Sequence, residues 1–234
     1  MRPLTGARGA AAAALGLTLA WVPAAGQEQP AQQPVSVCPD PTPIVVQKCG
    51  RDNAKTFIPP RTADGRPDLS GYWGQSQVPH ESLEAHPKTP DDTGGPSAVV
   101  DPPDGRVPIQ AWAEEKRREI LAKYIDQNAQ CFVSGVPRHL YMGAYQFVQT
   151  PTHILLLSEE TNAIRIVTLD GRPHVGKGIL LWQGDSRGRW EGDTLVVVTT
   201  NQNGLPRLDQ RGRFYTDAMV ATERFTMFEP NGIL

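Results

Sequence analysis

One stretch constrains this chain more than any other: Gly184 to Thr200, GDSRGRWEGDTLVVVTT. A polar, glycine-broken lead carrying Asp185, Arg187 and Arg189 runs into Trp190. A tight turn at Glu191-Gly192-Asp193 follows, then an unbroken β-forming run from Thr194 to Thr200. Two strand-like runs across a short loop containing Gly spell a β-hairpin. Trp190, Leu195 and Val197 can tie that hairpin to a core, while its charges gather at the end of a sheet.

The surrounding sequence repeats the theme. Leu69, Tyr72 and Trp73 enter a first strand after the Asp64-Gly65 turn. Tyr145–Thr150 and His153–Ser158 flank Pro151, and Ala163–Leu169 sets Ile164 and Ile166 opposite Arg165 and Val167. Ile179–Trp182 precedes the hairpin. In Met219–Phe228 the residues Met219, Ala221, Phe225 and Met227 share one face and Thr222, Arg224 and Thr226 the other. Short strands joined by local turns predict a mainly β fold, an antiparallel meander forming a lipocalin-like barrel or half-barrel. One helix is expected, from Pro108 to about Gln127, with an incomplete apolar face. Residues 76–107, broken by Pro79, Pro87, Pro90, Pro96, Pro102 and Pro103, read as a long proline-rich loop or lid.

The N-terminus divides off. Arg2 and Arg8 precede an apolar run, Gly9 to Val22, and Ala24-Ala25-Gly26 offers small residues for cleavage, so residues 1–26 read as a secretory signal peptide. The run is shorter than the roughly 20 apolar residues of a membrane span. The expected location is periplasmic or extracellular, with no membrane span after cleavage. Residues 27–60, rich in Gln and Pro, read as a tethered leader, poorly ordered except near its cysteines, and 61–234 as the β-barrel-like domain. A formal charge of −2 gives no electrostatic reason to expect nucleic acid or an anionic membrane as partner. Cys38 and Cys49 can close an N-terminal loop in an oxidising compartment, leaving Cys131 over, although spacing alone does not establish the geometry.

The chemistry is less specific. His80, His86, His139, His153 and His174 show no close metal-ligand spacing, so no metal and no cofactor are expected. No G-x-S-x-G elbow is present, and Gly176-Lys177-Gly178 is too short for a phosphate loop. Asp185, Glu191, Asp193 and Glu223 can meet Arg187, Arg189 and Arg224 at one sheet end. There they serve either as strand-end ion pairs or, beside Trp182 or Trp190, as a carboxylate of raised pKa. The aromatic residues can line a ligand cavity or fill it.

Taken together, the segments DGRPDLSGYW (Asp64–Trp73), GVPR (Gly135–Arg138), QFVQTPTHILLLSEE (Gln146–Glu160), IRIVTLDGRPH (Ile164–His174), GDSRGRWEGDTLVV (Gly184–Val197) and DAMVATERF (Asp217–Phe225) resemble a family of secreted bacterial proteins with no established activity. The resemblance implies a calycin or lipocalin-like barrel, whose Gly-x-Trp opening is similar to Gly71-Tyr72-Trp73. Two departures stand out: Val198 replaces the family's usual aspartate, and the chain stops at Leu234 where the family runs on. A truncated domain with an open sheet edge, and self-association through that edge, are therefore expected.

The leading functional expectation is a secreted module binding a small, partly apolar ligand against Trp182, Trp190 and Tyr145. Arg189 and Arg138 would orient its polar or carboxylate group. The alternative is a small-molecule hydrolase, lyase or isomerase with Asp185 or Glu191 as acid/base, His174 as partner and Arg189 stabilising negative charge. A third reading is an envelope interaction protein using the sheet edge and the leader.

Overall fold

A computed structural model describes residues 36–74, 81–90, 93–141, 143–159 and 162–234. The signal segment, the first part of the leader and His80 lie outside the described residues. Eight strands follow one another: β1 (Gly71–Trp73), β2 (Tyr145–Gln149), β3 (His153–Ser158), β4 (Ile164–Thr168), β5 (Asp185–Glu191), β6 (Thr194–Thr200), β7 (Ala221–Glu229) and β8 (Gly232–Ile233). They form one sheet in which each strand pairs with its sequence neighbours. The protein is thus mainly β, and the sheet curls into a half-barrel. Phe147 on β2 and Phe225 on β7, far apart in strand order, bring their rings within 5.5 Å edge to face. β1 and β8 share no ladder among the described residues.

One step departs from the antiparallel expectation. β4 and β5 run parallel, pairing Val167 with Ser186 and Thr168 with Arg187. A parallel neighbour needs a crossover, not a turn, and residues 169–184 supply it. Asn201 fastens that crossover, its amide donating to the carbonyls of Gly176 (3.1 Å) and Ile179 (3.0 Å). The β5–β6 hairpin forms as its sequence requires. Its two-residue turn puts Gly192 at φ 59°, the positive value such turns need.

The inner face is graded. Toward one end lie Leu69, Trp73, Phe147, Ile154, Leu156, Val167, Leu195, Val197, Phe225 and Met227, a single buried apolar cluster, each large member contributing about 1.5–3 kcal/mol. Toward the other end the same face carries Ser158, Arg165, Ser186, Thr199 and Glu223. Strand alternation places Arg165 inside with Val167, and it therefore turns Ile164 and Ile166 outward, 58% and 55% exposed.

Two α-helices, not one, occur among the described residues. The first, α1 (Pro43–Ala54), falls in the leader and contains Cys49, one of the two cysteines near which order is expected. Pro43 at its first turn is the start signal, and a Cys38–Cys49 disulfide closes the segment. Glu229 at the end of β7 accepts from Ser36 Oγ and Val37 N, both at 2.7 Å, and Leu234 packs over Gly50. This arm thus lies against the β7–β8 corner. The second helix, α2 (Ala111–Lys123), is shorter than its apolar pattern suggested and buries no residue fully. Pairs from Glu114 to Arg117 and Arg118, and from Glu119 to Lys116 and Lys123, lace its surface. The Arg117 hydrogen bond holds the Glu114 carboxyl down at about 2.

Candidate functional site

The polar end of the inner face is built around Arg165, 2% exposed. Its Nε donates to Ser186 Oγ (2.9 Å), Nη2 to Thr199 Oγ1 (2.8 Å), and Nη1 to Glu223 Oε1 (2.9 Å), with Nη2 also on Glu223 Oε2. The Ser186 and Thr199 hydroxyls bond each other at 2.9 Å. A short 3-10 turn, Arg138–Leu140, covers this end and sets His139 Nε2 3.4 Å from Arg165 Nη1. Burial pushes the His139 pKa well below the usual 6.5, and the neighbouring guanidinium adds to the effect. With Nε2 turned to a donor, the proton sits on Nδ1, which has no partner among the described residues. Both amide atoms of the fully buried Gln202, Arg138 Nε and Tyr215 Oη share that condition. The cluster is a buried structural layer whose strongest pair is fully satisfied.

The residues expected to bind or react do not converge. Tyr145 and Trp190 pack against the apolar core, with burial raising the Tyr145 pKa. Trp182 lies elsewhere, stacked on Phe132 at 5.6 Å and donating to Val133 O. Arg189 is on the outer face, 59% exposed, and shares Glu191 with Arg224. Arg138 is wholly buried and holds Asp126 through two bonds of 2.9 and 3.1 Å. Asp185 and His174 do meet, Nδ1 to Oδ2 at 2.9 Å. The same carboxylate also accepts from Val175 N (3.1 Å) and Arg187 Nε (2.9 Å), which makes the contact a staple for the 169–184 crossover. Among the described residues no cluster of three or more His, Cys, Asp or Glu side chains is arranged to hold a metal.

A ligand-sized space lies between α2 and the loop 203–217. The groove measures about 510 Å³ and is walled by Ile120, Tyr124, Leu205, Phe214 and Tyr215, with Lys116, Arg207 and Asp217 among its polar members. A second hollow of about 210 Å³ shares Phe214, Tyr215 and Thr216 and reaches Trp112 and Ile109. The loop that floors both is rigidly held. Arg207 and Phe214 form a bridge, and Leu208 N donates to Arg213 O at 2.7 Å. Asp209, fully buried, accepts from Arg213 Nη1 (2.7 Å) and from Leu83 N (3.1 Å). Gln127 Oε1 receives Arg207 N at 2.9 Å. Tyr215 is seated by Gly135: a Cβ there would meet the phenol oxygen at 2.2 Å, so the GVPR glycine is where the backbone lets the ring approach. α2 meets the loop through the Trp112–Phe214 edge (6.0 Å), Arg117 Nη1 to Arg211 O (2.9 Å) and the close approach of Leu121 to Gly212.

Sequence reasoning placed Ile120 and Tyr124 on the apolar face of the helix but named none of the groove residues as a site. Those of 203–217 sit in a Gly-, Pro- and Asn-punctuated segment that reads as connecting loop, where the Phe214-Tyr215 pair between breakers is the signal. Comparison of the chain with known protein families, with curated proteins and with solved structures found no match.

Proposed function

We propose that this chain is an exported small-molecule-binding module whose ligand lies between α2 and the 203–217 loop. The observation carrying this reading is the groove itself: about 510 Å³, aromatic and aliphatic in its walls, on a loop fixed by part-buried hydrogen bonds to Asp209 and Gln127. Cavities of that size with apolar walls and few polar groups are where proteins bury small ligands. The binding role proposed for Trp182, Trp190 and Tyr145 passes to Tyr124, Phe214 and Tyr215. Export is supported by the basic-then-apolar N-terminus and by the Cys38–Cys49 disulfide, a bond of oxidising compartments.

The test is mass spectrometry of small molecules released from protein purified out of a bacterial periplasm, beside a Leu205→Arg variant. Leu205 is 66% exposed, so the change fills the groove without touching the core. A stoichiometric organic molecule is expected from the parent and not from the variant. Equal recovery from both, or none from either, overturns the proposal. The hydrolase, lyase or isomerase alternative has the 2.9 Å His174–Asp185 contact in its favour. It requires turnover of the released molecule that His174→Ala abolishes, whereas binding in the groove is indifferent to that change.

A further inference from the structure

Among the described residues, nearly every arginine that is drawn out of solvent is spent on a carboxylate. Among the described residues, Arg66, Arg117, Arg138, Arg165, Arg187 and Arg213 are buried or half-buried, and each holds a carboxylate within 4.0 Å. Arg207 is also half-buried, but among the described residues it makes no ion pair and its side chain no hydrogen bond; its backbone N–H donates to Gln127 Oε1. It lines the groove beside Leu205, Phe214 and Tyr215. A half-buried arginine beside apolar walls gives up part of its hydration, which an anionic or acceptor partner restores. The other charges on the groove do not meet that need. Lys116 is held by Glu119 at 2.9 Å, and Asp217, exposed to water, makes no ion pair with Arg207.

Resting on the binding reading above, we propose that the ligand is a small organic carboxylate with an apolar body, its two oxygens received by Arg207. The match is geometric as well as electrostatic. The planar guanidinium presents parallel N–H donors that a carboxylate accepts as a pair, which an ammonium or an amide donor does not reproduce. The Ile120, Tyr124 and Phe214 walls then take the apolar body. This assigns to Arg207 the carboxylate-orienting part that the sequence suggested for Arg189 and Arg138, one of which faces solvent and the other Asp126.

The experiment uses matched probes: octanoate and 3-phenylpropanoate, each against its own primary amide, titrated calorimetrically into the full exported chain at neutral pH. The acid is expected to bind at least tenfold more tightly than the amide. Arg207→Gln should erase that preference, bringing the acid's affinity down to that of its amide, and Arg207→Lys should keep part of it. The Arg207 side chain makes no hydrogen bond or ion pair among the described residues, so both variants are expected to fold, as circular dichroism will show. If acids and amides bind the parent equally, the carboxylate inference falls and the groove reading stands. If neither kind binds, the groove reading falls and takes the inference with it.

Discussion

Arg165 and Glu223 show what a buried charge does in this fold. They meet across a sequence separation of 58, with the guanidinium fully engaged by Ser186, Thr199 and the carboxylate. Removing one partner strands the other in a site of low dielectric, a loss of roughly 3–5 kcal/mol, while an apolar pair of similar volume is close to neutral. Glu223→Leu alone should therefore lower the urea midpoint sharply. Adding Arg165→Met should restore most of it, so that the two effects are strongly non-additive in a double-mutant cycle; simple additivity would show that the pair is not coupled. This residue is also where the sequence is hardest to read. The period of two in Ile164-Arg165-Ile166-Val167 divides the strand correctly, but hydropathy alone would turn the isoleucines inward. The carboxylate that reverses the choice lies on β7, beyond the reach of any local pattern. The same limit hid Arg207, whose meaning comes from the carboxylate it lacks.

At the level of elements, what was legible was what local chemistry determines. The β5–β6 hairpin, the β2–β3 pair around Pro151 and the two faces of β7 all follow from alternation and turn residues. The parallel β4–β5 step was not legible, because its cause is Asn201 and Asp185 gripping the crossover from elsewhere. Nor was α1 as a helix, although order near the leader's cysteines was; Glu229 receives the residues just before it, and Leu234 packs over its Gly50. The disulfide joins residues 11 apart, and closing a loop of that length contributes about 3 kcal/mol by the loop-entropy relation. Cys38→Ser with Cys49→Ser should free the arm and expose its resting place. Hydrogen exchange is expected to speed up in β8 and at Thr226, whose N–H donates to Leu234 O, while β2–β4 stay protected. Uniform loss of protection instead would mean that the arm is integral to the whole sheet.

On the scale of the whole molecule, the graded interior makes stability sensitive to acid. His139 is held neutral in the folded state, its pKa lowered by burial and by Arg165, while the unfolded chain takes up a proton near pH 6.5. Below that pH the unfolded state binds more protons, so stability present above about 6.5 is lost as pH falls toward the folded-state pKa. The slope should reach about 1.4 kcal/mol per pH unit for this one proton. It should flatten in His139→Gln, as measured by chemical denaturation between pH 7.5 and 5; an unchanged slope would place the acid sensitivity elsewhere. The clasp between the Ser36–Ala54 arm and the last two strands bears on the order of assembly. Because the sheet order follows the chain order, each strand from β2 to β7 finds a neighbour already made when it emerges. The arm does not: Ser36 waits for Glu229, across a separation of 193 residues. Its disulfide can close within its own short loop from the start, yet it has no surface to rest on until β7 and β8 are in place. Folding that begins by local pairing is thus completed by the most distant hydrogen bond among the described residues, between their earliest-made segment and their latest.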